Sequence, residues 1–369
     1  MHVRLGVLVL ALLGACDSAS DLAVTPIEEG PPDATLSGDA GLEASPPTDA
    51  GADVGPAAPT LSQAGLYQDI AAKVVAAGAV EFSPAHPLWS DGSVKRRWIV
   101  LPAGAVIDTS NMDHWQFPVG TKFFKEFAFA GKRVETRIIE RLATTGQIGT
   151  DYRFGAFVWR SDESDADFRP DGLPDALADA GGIRHDVPSQ AQCNACHGSE
   201  PGFILGFSAV QLSKGGAAPT FKSLAAAGTF SVLPDAGADA AADAGDAGID
   251  FPVPGNAVTA AALGALHANC GHCHQPAGFA FDETKMVLRL TVADSRAATP
   301  GPVTSMVNVG LDKWLHPTLK TRVVPKNPAA SAVFHRMTQR GTVEQMPPLA
   351  TRLTDDAGAA AVSAWIMSL

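Results

Sequence analysis

The sequence predicts a multidomain α+β chain, in which a β-rich sandwich or small barrel precedes a separate all-α domain. Within residues 61–190, apolar and aromatic residues alternate with polar ones in short runs that end at Gly or Pro turns, as in strands. Within residues 255–369, apolar residues recur at helical spacing instead. A low-complexity tract lies between the two regions.

Two tracts are rich in Ala, Asp, Gly and Pro and contain few large apolar residues. Such segments bury too little surface to offset the entropy lost on ordering, so we interpret them as a disordered tether and an acidic linker. The predicted division of the chain is therefore a signal peptide (1–16), the tether (17–60), the β-rich domain (61–233), the linker (234–254) and the helical domain (255–369).

The formal net charge of −12 comes almost entirely from these tracts. Residues 17–60 hold nine acidic and no basic residues, and residues 234–250 hold five more acids. Because the rest of the chain is close to neutral, its charge gives no support to nucleic-acid binding, which requires a basic surface.

In the β-rich domain, the alternating patterns predict strands over 95–101, 121–129, 133–140 and 152–159, after a short helix over 62–77. The second and third of these strands form a hairpin. The predicted core is aromatic and consists of Trp89, Trp98, Trp115, Phe123, Phe127 and Trp159.

In the helical domain, the apolar spacing predicts helices over 258–269 and 329–337. A final helix is expected after Thr354 as N-cap, with Asp355 and Asp356 in its first turn, where negative charge suits the helix dipole. Its apolar stripe consists of Ala359, Val362, Trp365 and Ile366.

The pattern Cys-x-x-Cys-His occurs twice, as Cys193-Asn194-Ala195-Cys196-His197 and as Cys270-Gly271-His272-Cys273-His274. This is the attachment pattern of c-type haem. Cysteines three residues apart on a helical turn lie on one side, so both thiols reach one porphyrin edge, and the following histidine can bind the iron. The motifs predict two covalently attached c-type haems. The predicted attachment sites are Cys193, Cys196, Cys270 and Cys273, and the predicted iron ligands are His197 and His274.

Two other uses of these cysteines are weaker. The cysteine pairs of a zinc ribbon are about 15–20 residues apart, far fewer than separate Cys196 from Cys270. A four-cysteine zinc site would also leave the histidine that follows each pair without a function. Redox-active disulfides are the third alternative.

Each iron either has a sixth ligand or keeps an open site. For the second haem we predict Met346, because prolines stiffen its loop and because His/Met ligation raises the reduction potential. Met337 and His335 are the alternatives, whereas His267 and His272 are expected to be exposed or to support the fold. For the first haem the possibilities stay open, and they are His86, His114, His185, Met112, Met286, Met306 or a five-coordinate iron.

The amino terminus resembles a bacterial lipoprotein signal. A positively charged start precedes an apolar run over residues 5–12, too short to span a membrane, and then Leu13-Gly14-Ala15-Cys16. This sequence predicts a mature chain that begins at a lipid-modified Cys16. The alternative is ordinary signal cleavage, with Cys16 incidental. The predicted location is the periplasmic side of a Gram-negative membrane, or the cell surface.

Further motifs run through residues 61–369. Before the first haem motif lie Pro-Leu-Trp-Ser-Asp-Gly (87–92), Lys-Arg-Arg-Trp (95–98), Phe-Pro-Val-Gly-Thr (117–121), Val-Glu-Thr-Arg (134–137) and Pro-Ser (188–189). After it lie Leu-Gly (205–206), Gln-Leu (211–212), Val-Pro (324–325), Met-Pro-Pro-Leu (346–349) and Trp-Ile (365–366). In these motifs the chain resembles a family of largely uncharacterised dihaem c-type cytochromes, often bacterial lipoproteins, with a carboxyl-terminal class I cytochrome c-like domain. The resemblance implies two covalent haems and an extracytoplasmic location, but no substrate.

These observations favour electron transfer through two haems to a redox protein partner, with a membrane contacted through the amino-terminal lipid. The alternative is a peroxidase- or oxidase-like haem enzyme with an open first-haem site that the carboxyl-terminal domain serves. A third, weaker possibility is that the β-rich domain binds a glycan or a partner.

Overall fold

The structure is a computed structural model that describes residues 57–180, 183–213, 219–233 and 250–369. The predicted signal peptide with Cys16, nearly all of the tether and most of the acidic linker lie outside these described residues.

An antiparallel sheet dominates the amino-terminal part of the described residues. The strands are β1 (Tyr67–Asp69), β2 (Val74–Val75), β3 (Ala79–Glu81), β4 (Val94–Val100), β5 (Lys122–Phe129), β6 (Lys132–Arg141), β7 (Tyr152–Trp159), β8 (Ala166–Phe168), β9 (Leu173–Ala180) and β10 (Ile183–Val187). The sheet contains β3 to β8, each beside its neighbours in sequence, while β1 pairs with β2 and β9 with β10.

The register of the sheet places aromatic residues on both faces. On one face, the residues opposed across β4 to β7 are Ile99, Phe123, Ile139 and Phe154. The neighbouring Trp98 and Phe124 lie on the opposite face, because successive side chains of a strand point to opposite sides. They pack with Leu61 and Leu66 from the amino-terminal segment.

The helices follow and interrupt the strands. They are α1 (Ile148–Asp151), α2 (Gln190–His197), α3 (Phe221–Ala226), α4 (Ala257–Cys270), α5 (Phe281–Thr284), α6 (Gly301–Met306), α7 (Ala332–Thr338) and α8 (Asp356–Ser368). The side chains of Ser189, Asn256 and Asp355 cap α2, α4 and α8 by accepting a backbone N–H three residues ahead. The two cysteine motifs lie at the ends of α2 and α4.

The predicted sandwich or barrel is wrong, because the strands form one open six-stranded sheet with β3 and β8 at its edges. Alternation in the sequence does not separate these arrangements when both faces of a sheet are covered. One face packs against the amino-terminal segment. The other face packs against later residues such as Phe207 and Leu263, so no second sheet is needed to bury it.

The predicted separate all-α, cytochrome c-like domain over 255–369 is also wrong. Of its helices only α4 and α8 are longer than two turns, and irregular segments with isolated bridges connect the others. Leu263 of α4 and Trp365 of α8 share one continuous core with Phe123 and Phe154 of the sheet. The described residues accordingly belong to one compact unit, Val54–Leu369. The two long helices pack on each other, and their core continues into the aromatic residues of the sheet, so the carboxyl-terminal region does not close a core of its own.

Most single-element predictions are confirmed. The four predicted strands match β4 to β7 within one residue at each end, and the helix over 258–269 matches α4. The helix over 62–77 is wrong, since Gly65 takes a φ of +92° and the short strands β1 and β2 follow. In the predicted aromatic core, Trp89 is only partly buried and the other five residues are buried. The final helix has Asp355, not Thr354, as its cap.

Candidate haem sites in two adjoining cavities

The first Cys-x-x-Cys-His motif occupies the last turns of α2. Ser189 and Gln192 form a reciprocal capping box at the start of this helix. The Gln190 side chain donates a hydrogen bond to Phe154 O at 2.7 Å, which ties α2 to β7 of the sheet. The motif is therefore held at the face of the sheet.

The second motif begins at Cys270, the last residue of α4, and continues in a tight turn. The N–H groups of Cys273 and His274 both donate to Cys270 O, at 3.1 and 3.0 Å, so the helical path extends through the motif. Glycine is required at position 271, because a Cβ there would lie 2.6 Å from His267 O.

The first cavity has a volume of about 280 Å³ and lies between α2, the strands β4 to β7 and the end of α4. Cys193, Cys196 and His197 line it together with many polar and charged side chains. The other histidines in its lining are His86, His185, His267 and His272.

The second cavity has a volume of about 200 Å³ and a more apolar lining, including Leu266, Leu288 and Trp314. The second motif lines it with Cys270, Cys273 and His274, and so do three methionines, Met286, Met337 and Met346. The two cavities adjoin, since ten residues line both, and these include Lys125, Arg137, Cys196, His197 and His272.

The last residue of each motif is a histidine held in a state that suits iron binding. His197 Nδ1 lies 2.7 Å from the backbone oxygen of Phe203, so Nδ1 carries the ring proton and donates it. His274 Nδ1 lies 3.3 Å from Thr284 Oγ1, whose own proton goes to Ala280 O at 2.9 Å. In both rings Nε2 keeps its lone pair, and a hydrogen bond from the other nitrogen is the usual support of a metal-binding histidine.

The four motif cysteines are free thiols in environments that disfavour the thiolate. Burial raises the pKa of Cys193 to about 11 and the pKa of both Cys270 and Cys273 to about 12. Disulfide exchange uses a thiolate of lowered pKa, whereas a zinc ion would itself lower the pKa of the thiols that bind it. Nor do the cysteines join a cluster that could hold a metal ion among the described residues. Uncharged thiols against a cavity wall fit thioether attachment better than either alternative.

Two of the cations that line the first cavity have no carboxylate partner among the described residues. Arg137 is paired with the buried Glu135 at 2.6 Å. Arg97 and Lys125 also line the cavity, and no carboxylate among the described residues forms an ion pair with either of them. Burial lowers the pKa of both cations, to about 10 for Arg97. An anionic group in the cavity would stabilise them, and haem has two carboxylates to offer.

Met346, the predicted sixth ligand of the second haem, lines the same cavity as Cys270, Cys273 and His274. Its loop is well held, because Gln345 Nε2 donates to Pro347 O and Thr351 O, each at 3.0 Å. The alternative Met337 lines this cavity as well. The alternative His335 is not among the lining residues and bonds to Glu344 at 2.8 Å instead.

The lining of the first cavity also reduces the number of candidates for the sixth ligand of the first iron. His86 and His185 line the first cavity. His114, Met112, Met286 and Met306 are not among its lining residues. His272, which was expected to be exposed or to support the fold, is buried and lines both cavities. The signal available in the sequence was its place inside the second motif.

A cluster of His316, His335 and Glu344 has the composition of a metal site. However, His316 Nδ1 accepts backbone N–H groups from Thr318 and Leu319, at 3.2 and 3.1 Å. The ring proton of His316 is therefore on Nε2, the nitrogen that faces Glu344 at 3.9 Å. The cluster is better described as a carboxylate hydrogen-bonded to His335, with the ring N–H of His316 facing it at a longer distance.

Direct contacts join the segments that carry the two motifs. Gln275 Nε2 donates to Ser199 O at 2.9 Å, directly beyond each motif. Arg289 forms an ion pair with Glu200 at 3.0 Å, and both side chains are buried. The two candidate sites are thus parts of one packed structure.

No family model, no curated protein and no solved structure matches this chain. Within the described residues, the helices are all too short or too polar to cross a membrane.

Proposed function

We propose that this chain is a dihaem c-type cytochrome that transfers electrons outside the cytoplasm. The observation that carries the proposal is that both Cys-x-x-Cys-His motifs line adjoining cavities, each with a histidine whose Nε2 is free to bind iron. The motif-level resemblance to dihaem cytochromes supports the same reading. The partner expected for such a protein is another redox protein.

In this proposal each motif holds one haem through two thioethers and one histidine. Cys193, Cys196 and His197 hold the first, and Cys270, Cys273 and His274 hold the second, with Met346 as its sixth ligand. When bound, haem supplies one-electron oxidation and reduction at its iron.

The remaining side chains tune the two sites. Arg97 and Lys125 neutralise carboxylates in the first cavity, and Arg137 remains paired with Glu135. The apolar lining of the second cavity, which includes Leu288 and Trp314, excludes water and favours the less charged state of the site.

The test is the mass of the mature protein from a host that attaches c-type haem. We expect the mass of the polypeptide plus two haems. Cys193→Ser with Cys196→Ser should remove one haem, Cys270→Ser with Cys273→Ser the other, and all four substitutions both. A parent protein without covalent haem would refute the proposal.

A second candidate is a peroxidase- or oxidase-like enzyme. The polar, positively charged lining of the larger first cavity favours it, because such a lining suits a small anionic substrate as well as a haem carboxylate. Carbon monoxide separates the two functions. Binding to the reduced parent protein at one iron indicates an open catalytic site, and no binding indicates electron transfer.

We also propose that the chain is a lipoprotein anchored through Cys16 on the periplasmic side of a Gram-negative membrane or at the cell surface. The support is the lipobox-like sequence before Cys16. Cys16→Ser is expected to move the protein from the membrane to the soluble fraction. Continued sedimentation with membranes would contradict lipid anchoring.

A further inference from the structure

His272 lies between the two cysteines of the second motif and yet lines both cavities. Its side chain is buried, with 8% of its surface exposed, and its Nδ1 has no hydrogen-bond partner. No other described group hydrogen-bonds to the ring. Because no described group hydrogen-bonds to Nε2, that nitrogen is free to bind a ligand while Nδ1 carries the ring proton.

The helical path through the second motif turns His272 away from the haem of its own motif. At about 100° per residue, Cys273 follows Cys270 by about 300°, so the cysteine pair is centred near 330°. His272 follows Cys270 by about 200° and therefore lies roughly 130° from that centre. Its ring is therefore directed away from the second haem. His272 also lines the first cavity, so its ring can reach a haem bound there.

His272 and His197 are also near each other. Both side chains line both cavities, so both lie where the two cavities adjoin. The hydrogen bond between Gln275 and Ser199 joins the residues just beyond the two motifs. The second motif is thus held against the first.

Two other histidines of the first cavity are less suited to bind its iron. His267 Nδ1 accepts the N–H of Leu290 at 3.0 Å, so its ring proton is on Nε2 and no lone pair remains. His185 Nε2 lies 2.7 Å from the buried Glu135, which leaves only Nδ1, the nitrogen crowded by its own Cβ. His86 remains as the rival, with its Nδ1 edge packed on Gly264 of α4.

We infer that His272 of the second motif is the sixth ligand of the iron bound by His197 of the first motif. This inference rests on the proposed function. The first haem would then have two histidine ligands and no open position, and the second motif would serve both haems.

The test compares full-length parent protein with His272→Ala and His272→Met, after mass measurement has shown two haems in each. The parent is expected to be low-spin at both irons when oxidised and to bind no carbon monoxide when reduced. His272→Ala should make one haem high-spin and bind about one carbon monoxide per chain. Added imidazole should restore the low-spin spectrum, which a merely structural role would not explain. His272→Met should keep both haems low-spin and raise one reduction potential.

Two further variants complete the test. His114→Ala, outside both cavities, should resemble the parent, and His86→Ala should keep both irons closed. The inference is overturned if His272→Ala with two haems keeps the parent spectrum, if His86→Ala opens the site instead, or if the reduced parent binds carbon monoxide at one iron. A parent without two haems would refute the proposed function itself, a result distinct from these.

Discussion

The two cavities carry the same five-residue motif in different chemical surroundings. The first has four further histidines and the unpaired cations Arg97 and Lys125 in its lining. The second has three methionines and mainly apolar neighbours. A bis-histidine site has a lower reduction potential than a His/Met site, so the difference predicts two haems of unequal potential. The motif determines where a haem attaches, and the surrounding residues determine its potential.

The largest expected effect concerns the contact that joins the two sites. Glu200→Gln should destabilise the folded protein by about 1.5–3 kcal/mol, because the buried Arg289 loses its partner at 3.0 Å and keeps only the carboxylate of Asp113 at 3.9 Å. Denaturant unfolding, followed at both haems, should show one transition for the parent and for the variant, since both cavities belong to one unit. The matched control is Glu283→Gln, which breaks an exposed ion pair with Lys313 and should cost less than about 1 kcal/mol. Two separate transitions would show that the cavities belong to independent units.

The next largest effect distinguishes Met346 from Met337 as the sixth ligand of the second haem. Met346→Ala should lower the potential of one haem by about 0.1 V or more, part of the roughly 0.8 V that axial ligands span, and leave the other unchanged. Potentiometric titration followed by absorbance measures both haems. Met337→Ala is the control from the same cavity and should shift the potential much less. The reverse order would make Met337 the ligand.

A smaller effect tests the positive charge in the first cavity. Lys125→Met should lower the potentials of both haems, because Lys125 lines both cavities and a cation favours the reduced iron. A unit charge at about 10 Å is worth about 1.7 kcal/mol at an effective dielectric constant of about 20, which is about 70 mV for one electron. The exposed Lys132→Met is the matched control and should change little. Equal shifts in both variants would argue against a specific role for Lys125.

The smallest effect is a pH dependence of stability at the first cavity. Burial lowers the pKa of His267 to about 3, below its ordinary value. The unfolded chain therefore binds this proton first, and stability falls as the pH drops from about 6.5 towards 3, by at most about 1.4 kcal/mol per pH unit. His267→Gln should flatten this slope in denaturant unfolding at pH 7.5 and pH 5. His316→Gln, outside both cavities, serves as the control, and an unchanged slope in His267→Gln would contradict the assignment.

The sequence predicted the local elements well where a single periodicity dominates. The alternating segments became β4 to β7, and the Ala/Leu-rich segment became α4. The helix predicted over 62–77 is wrong because no periodic pattern separates a helix from two short strands that follow a glycine at positive φ. The prediction of two separate domains was wrong for another reason. Residues far apart in sequence complete one core, which includes Phe123, Leu263 and Trp365.

The sequence by itself predicted the covalent chemistry, because two cysteines and a histidine at fixed spacing act together within one helical turn. Only the tertiary structure decided that the two motifs line adjoining cavities and that Met346 lies beside the second. It also decided that His272 is buried without a partner. The physical reason is the distance along the chain between the residues that act together. Attachment depends on residues within one turn, whereas a sixth ligand, a counter-charge or an excluded water depends on side chains that only the folded chain brings together.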